Sequence, residues 1–137
     1  MARPIPVEVI VEILSGWGPT MPPAPIKPPI SLAHLEALDV RVGTIESVHD
    51  VPSSSKLVRV IVDFGDRKRT ALAGMKKERA DLGAIVGLQA LFVVNLEPRE
   101  MAGEVSEAMF FDLGYHDGIT PVLAVPERRV PNGTRAG

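Results

Sequence analysis

The sequence predicts an all-β fold, a five-stranded Greek-key barrel of OB type with a short helix between strands three and four. An N-terminal helix and an extra C-terminal strand are expected outside that barrel. Three observations predict it. Five segments alternate apolar and polar residues with the period of two that strands require. A short, glycine-interrupted helical turn stands between the third and fourth segments. Glycine-containing turns punctuate the pattern. This order of elements is that of the OB-fold, although all-β barrels of other topology share it.

The elements follow in order. Ser31 can cap a short helix over residues 32–38, because its hydroxyl satisfies a free amide of the first turn. Val40 and Val42 alternate with Asp39 and Arg41 on a first strand. After Gly43 the apolar parity passes to Ile45, which predicts a glycine bulge there. Val58, Val60, Val62 and Phe64 make the second strand, and Gly65-Asp66 begins its turn. Residues 68–73 form the third strand, ended by Gly74. Residues 80–86 supply the helical turn, and residues 88–96 a fourth strand that is the most buried by pattern. Residues 105–113 give a fifth. Asp117-Gly118 then turns the chain into the extra strand, residues 120–125.

Residues 31–137 are therefore read as the barrel domain, and residues 1–30 as a Pro-rich, flexible extension. The first thirty residues hold eight of the thirteen prolines, which cannot donate to a ladder and favour an extended linker over 19–29. Val7, Val9, Val11 and Ile13 alternate as a strand able to add to a sheet edge. Glu8 and Glu12 interrupt that stretch as a signal-peptide core, and it is too short to cross a bilayer. Met21 is a conceivable true start, so whether residues 1–20 belong to the native protein is left open. The 137 residues contain no cysteine, which excludes a disulfide scaffold, a thiolate zinc site and a cysteine nucleophile. A cytoplasmic protein with no membrane partner is expected.

A net charge of −2 does not advertise nucleic-acid binding, but its distribution does. Arg67, Lys68, Arg69, Lys76, Lys77 and Arg79 fall in one window whose only acid is Glu78, a local net of +5. The first three sit at the tip of the strand 2–3 hairpin, and the others follow strand 3. Both groups flank the face on which OB-folds bind oligonucleotides. Clustered cations favour phosphate contact through counterion release; the alternative is a solvated hairpin tip. Lys56, after Ser53-Ser54-Ser55, is a further candidate. The few aromatic residues occupy mostly apolar strand positions and read as core, so recognition of folded RNA by shape and backbone suits this chain better than base stacking.

The stretch Asn95-Leu96-Glu97-Pro98-Arg99-Glu100-Met101-Ala102-Gly103, followed by Ser106, Ala108 and Met109, carries more information. With Asp39-Val40-Arg41-Val42-Gly43 upstream and Val130-Pro131-Asn132-Gly133-Thr134 at the end, it resembles the tRNA-binding domain family. That family includes C-terminal appendages of methionyl-tRNA synthetases, the endothelial monocyte-activating polypeptide and the CsaA export-chaperone group. The resemblance runs from about residue 38 to 137 and implies an OB-fold. It also implies RNA-facing roles for Asn95, Ser106 and Met109. Each has a plainer reading: Asn95 bonding the turn backbone, Ser106 closing the start of strand 5, and Met109 filling core, which is favoured for that residue. Glu97, Glu100 and Ala102 stand where synthetase-type members carry lysines, leaving Arg99 as the basic residue of that loop. Together with Val62-Asp63-Phe64-Gly65, this is similar to the CsaA group, whose members are linked to holding unfolded export substrates.

No catalytic residue, cofactor or metal site is expected. Neither GxGxxG nor a P-loop occurs. His49-Asp50 and His116-Asp117 are adjacent pairs, which strand geometry points to opposite faces. Asp112, His116 and Asp117 read better as a polar turn than as metal ligands. The expected function is non-catalytic binding of structured RNA, tRNA foremost. The alternative is a CsaA-like chaperone for unfolded polypeptides. A homodimer is expected from the apolar helix face and the extra strand, and an aminoacyl-tRNA synthetase is a further candidate partner.

Overall fold

A computed structural model describes residues 22–137. The expected strand over 7–14 and the Met21 boundary lie outside the described residues. Residues 22–30 have no regular structure and are exposed throughout. Helix α1 (Leu32–Glu36) starts where Ser31 caps it, the hydroxyl accepting from the His34 amide at 3.3 Å, and buries no residue.

Seven strands follow: β1 (Val40–Asp50), β2 (Val58–Asp63), β3 (Lys68–Ala73), β4 (Gln89–Val93), β5 (Arg99–Met101), β6 (Glu104–Ser106) and β7 (Met109–Phe110). A curled antiparallel sheet takes the order β3-β2-β1-β4-β7, with β5 and β6 forming a separate two-stranded arm. This is an OB-like all-β barrel. The helical turn between β3 and β4 is a 3-10 helix, Leu82–Ile85, capped by the Asp81 carboxylate on the Gly83 amide.

Long β1 is shared between two partners. Its second half pairs with β2 and its first half with β4. The bulge lies between Ile45 and Ser47, at Glu46, and not at Gly43. Gly43 stays in register opposite Ala90. Its smallness serves close approach instead, since a Cβ there would lie 2.5 Å from Val62 Cγ1 and 2.8 Å from Phe64. The apparent parity shift has another cause. Val40, Val42 and Val93 are buried, yet they stand outside the interior cluster that contains Ile45, Ala90 and Phe92. The start of β1 and all of β4 are covered on both faces, so alternation there does not mark inside from outside.

The interior is built on Val58, Val60 and Val62 of β2 with Ile45, Ala71, Met75, Ile85 and Ala108. Phe92 is fully buried at its centre, edge-on to Phe64 at 5.5 Å and 4.6 Å from Phe110. Such aromatic contacts add to the area they bury.

The expected fifth strand is broken. Its first part, β6, turns back on β5 through Ala102 at φ 51, and β7 resumes after Glu107 and Ala108. Side chains take over where the ladder stops. The Leu72 amide donates to Ser106 Oγ at 3.0 Å, Ser106 Oγ donates to the Ala108 carbonyl, and the Glu107 amide donates to Thr70 O at 2.8 Å. These bonds close the barrel between β3 and β6–β7.

Residues 120–125 form no extended strand. They contribute one bridge, Leu113 to Val122, and a bond from the Leu91 amide to Ala124 O. Pro121 and Pro126 remove the donors a ladder needs. The added edge comes from the C-terminus. Thr134 O accepts from Val42 N, the Gly133 amide donates to Val42 O, and the Ala136 amide donates to Val40 O. This strap extends the β2 side of β1 where β2 has ended. Gln89, the buried polar side chain among the described residues, holds it by donating to Val130 O and Asn132 Oδ1. Gly133 has φ +91, and a Cβ there would sit 2.6 Å from Phe64 O. Glycine is what lets the strap meet the β2–β3 turn.

Candidate nucleic-acid interface

The β2–β3 hairpin turns tightly because the Phe64 amide donates to Arg67 O and the Gly65 amide to Asp63 Oδ1. This places Arg67 and Arg69 at one mouth of the barrel, with Lys68 between them in sequence but outside the lining of that mouth, and the three differ in their bonding. Arg67 is 62 % exposed, with Asp66 no nearer than 3.8 Å. Lys68 pairs with Glu46, the bulge residue, at 2.8 Å, and this bond raises the lysine pKa. Arg69 lies across the mouth and donates to the Val94 carbonyl at 2.7 Å.

Arg41 is the site residue that the sequence reading did not select. From β1 it grips Asp39 with two bonds, Nε to Oδ1 at 3.0 Å and Nη2 to Oδ2 at 3.1 Å. That bond, reinforced by the charges of Arg41, Arg135 and Arg69, overrides partial burial and holds the Asp39 carboxyl below the usual range. The signal was present in the sequence. Asp39 and Arg41 are two apart, and on an extended chain that puts both side chains on one face. A cavity of about 230 Å3 opens between these groups, lined also by Phe64, Asp66, Val94 and Asn95.

The second cationic group is employed differently. Lys76 is only 25 % exposed and donates to the Val51 carbonyl at 3.1 Å and the Ser54 carbonyl at 2.6 Å, with Asp50 alongside. It ties down the loop between β1 and β2. Arg79 is half-buried, donating to Pro121 O at 3.4 Å with Glu78 3.6 Å away. Burial raises the pKa of Glu78 and, nearby, of Asp112. Lys77 is left exposed. Lys56 is exposed too, and its carbonyl accepts from the Lys76 amide, so Lys56 and Lys77 share this flank.

Asn95 is a latch. Its Oδ1 accepts from the Asp39 amide at 2.8 Å and its Nδ2 donates to Ala37 O at 2.7 Å, joining the end of β4 to the entry of β1. Ser106 is a barrel-closing residue, as described above. Met109 does not fill core. It is 50 % exposed between buried Ala108 and Phe110, because β7 is a two-residue strand at the sheet edge. Arg99 is exposed on the β5–β6 arm beside Glu100, and Glu97 is exposed just before it. The structure therefore brings Arg67, Arg69 and Asn95 to one mouth together with Arg41, engages Lys68 with Glu46 outside that lining, and leaves Lys56 and Lys77 on another flank.

Beside Asn95, across from the arginine mouth, lies an apolar groove of about 620 Å3. It is lined by Leu32, Leu35, Leu38, Val40 and Phe111 with Arg135 and Ala136 of the strap. No helix among the described residues is long and apolar enough to cross a membrane.

The sequence model of the family described as "Putative tRNA binding domain" matches residues 40–135. A methionine–tRNA ligase of Methanocaldococcus jannaschii is 35 % identical over 98 residues, covering 70 % of this chain and 15 % of the ligase. A methionine–tRNA ligase of Parabacteroides distasonis is 36 % identical over 110 residues, 80 % of this chain and 16 % of the ligase. The chain thus spans about a sixth of the length of these relatives. Among solved structures, a MetRS related protein from Pyrococcus horikoshii superposes with a TM-score of 0.74 at 26 % identity, covering 81 % of this chain and all of that one. The chaperone CsaA of Bacillus anthracis superposes with a TM-score of 0.69 at 28 % identity, covering 80 % of this chain and all of that one.

Proposed function

The chain belongs to the tRNA-binding domain family, and from that premise we propose that it is a non-catalytic binder of structured RNA, with tRNA as its ligand. The observation that carries this reading is the arginine mouth. Arg67 and Lys68 stand exposed at a hairpin tip, with Arg41 and Arg69 held in place behind them. Arg67, with Asp66 no nearer than 3.8 Å, keeps its forked donors for phosphate at the rim of the mouth. Lys56, Lys77 and Arg99 extend the contact surface. Asn95, Ser106, Lys76 and Arg79 support it through the bonds they make inside the protein. In this reading residues 1–30 are an extension outside the barrel, and the protein works in the cytoplasm, where tRNA and synthetases are found.

The test is a filter-binding titration of total tRNA at several salt concentrations. Binding should weaken linearly on a log–log scale, with a slope of about −0.7 to −0.9 per phosphate contacted. A flat salt dependence would remove the reading.

One observation favours a second reading, a CsaA-like holder of unfolded polypeptides. The groove beside α1 exposes Leu32, Leu35 and Phe111, and apolar surface of this kind marks an interaction site. The same face is where a second copy would pack to form a homodimer. Light scattering at micromolar concentration distinguishes the occupants. A mass near twice 14.7 kDa assigns the groove to a second copy. A monomer that suppresses aggregation of an unfolded polypeptide independently of salt assigns it to peptide.

A further inference from the structure

We propose that the cavity at the arginine mouth receives a single unpaired guanine of the bound RNA. This rests on the RNA-binding reading of the face and goes further by naming the part of the RNA that the cavity takes.

Size limits the occupant first. About 230 Å3 is below the range of cavities that hold drug-sized ligands, so the space suits one base and not a base pair. Charge limits it next. The walls carry Arg41, Arg67 and Arg69 but also Asp39 and Asp66. A bare phosphate entering there would meet two carboxylates at close range. The edge of a base, which presents donors and acceptors together, answers both signs.

The unengaged groups then select the base. Both oxygens of Asp39 accept from Arg41, and Arg69 Nη1 is bonded to Val94 O. Asp66 is different: its side chain is 67 % exposed, and its partner Arg67 stays at 3.8 Å, beyond hydrogen-bond reach. Its carboxylate therefore offers two free acceptors side by side. Guanine is the RNA base whose Watson–Crick edge carries two adjacent donors, N1–H and the N2 amine, which match a carboxylate fork. Adenine and cytosine each set one amine beside an acceptor nitrogen, and uracil flanks its N–H with two carbonyls, so each turns a lone pair toward Asp66. The guanine O6 can accept from the remaining guanidinium N–H groups, and the plane of Arg67 gives a stacking surface. Within a duplex the Watson–Crick edge is occupied, so the guanine must come from a loop or bulge.

The test uses the full chain and four fluorescein-labelled RNA hairpins with one common stem. One is fully paired, and the others carry a single bulged guanosine, adenosine or inosine. Anisotropy titrations at one fixed salt concentration should give about tenfold tighter binding of the guanosine bulge than of the adenosine bulge, the scale of one bidentate pair. Inosine, lacking the N2 amine, should lose most of that preference. Asp66→Asn should bring the guanosine-to-adenosine ratio to within about twofold, with circular dichroism confirming the fold. Equal binding of both bulges, with the paired hairpin still bound, overturns the inference and leaves the RNA-binding reading standing. A guanosine preference that survives Asp66→Asn unchanged overturns it as well. Failure to bind any hairpin or tRNA overturns both.

Discussion

The two cationic groups of this chain, Arg67-Lys68-Arg69 and Lys76-Lys77 with Arg79, look alike in charge and composition but do different work. The first stands on a hairpin tip whose backbone is satisfied by its own turn, so Arg67 is left available at the barrel mouth, with Lys68 paired to Glu46 and Arg69 to the Val94 carbonyl. The second follows β3 where the chain crosses toward the 3-10 helix, and that irregular region leaves loop carbonyls to be satisfied. Lys76 and Arg79 supply the donors, reaching Val51, Ser54 and Pro121. Buried carbonyls without partners are costly, so a cation beside an irregular loop tends to be recruited inward. Which positive charges remain as contact surface depends on which of them neighbouring carbonyls recruit.

The largest expected effect would break this comparison outright. Changing Arg67, Lys68 and Arg69 together to Glu should abolish tRNA binding while circular dichroism shows a folded barrel, with some stability lost because Arg69 gives up its bond to the Val94 carbonyl. Unchanged affinity in the folded triple variant would discard the mouth as the RNA face and favour the peptide-holding reading. Lys76→Met tests the other group. It should lower stability in urea by about 1–2 kcal/mol, because a charged donor to two loop carbonyls is lost at a partly screened site. The salt slope of tRNA binding should not change; a reduced slope would mean that Lys76 also meets phosphate.

Smaller effects sharpen the contrast. Lys77→Ala and Lys56→Ala should each weaken tRNA binding modestly, lowering the salt slope by about 0.7 to 0.9 where a contact is lost, without moving the urea midpoint. Glu97→Lys with Glu100→Lys should tighten binding if those carboxylates repel the backbone, as a parallel titration would show.

The smallest effect is in pH dependence, where the two regions have opposite signs. Asp39 at the mouth has a lowered pKa when folded, so its contribution is present above its ordinary 3.8 and is lost as pH falls through the lower folded value. Glu78 and Asp112 have raised folded values, so the native state binds their protons more tightly, and stability from these groups rises as pH falls toward 4.5 and 3.8. Urea midpoints of Glu78→Gln should therefore lie slightly above those of the parent chain at pH 7 and converge with them near pH 4. A midpoint below the parent at pH 7 would show that the attraction of Arg79 outweighs the burial of Glu78.

Much of the barrel was readable because its information is local. Alternating Val58, Val60 and Val62, a Gly-containing turn and residues 68–73 fold back on one another as the expected hairpin, with Asp63 opposite Lys68. The hairpin tip was readable for the same reason, since a short turn between alternating strands has to project its charges. The sequence alone thus determined the class of fold, the hairpin with Arg67, Lys68 and Arg69 at its tip, and the helical turn before β4. Only the tertiary structure decided which side of Val40 and Val42 meets the interior, because both faces of that strand are covered and alternation carries no sign there. It also decided that the bulge falls at Glu46, that residues 133–136 and not 120–125 add the outer edge, that Lys76 turns inward, and that the Asn95 side chain is bonded to the entry of β1. The strap, Lys76 and Asn95 each depend on a hydrogen-bonding partner distant in sequence: Thr134 for Val42, Val51 for Lys76, Asp39 for Asn95. Hydrophobic periodicity fixes which face a residue is on; which distant backbone group needs its donor is fixed only when the chain has closed.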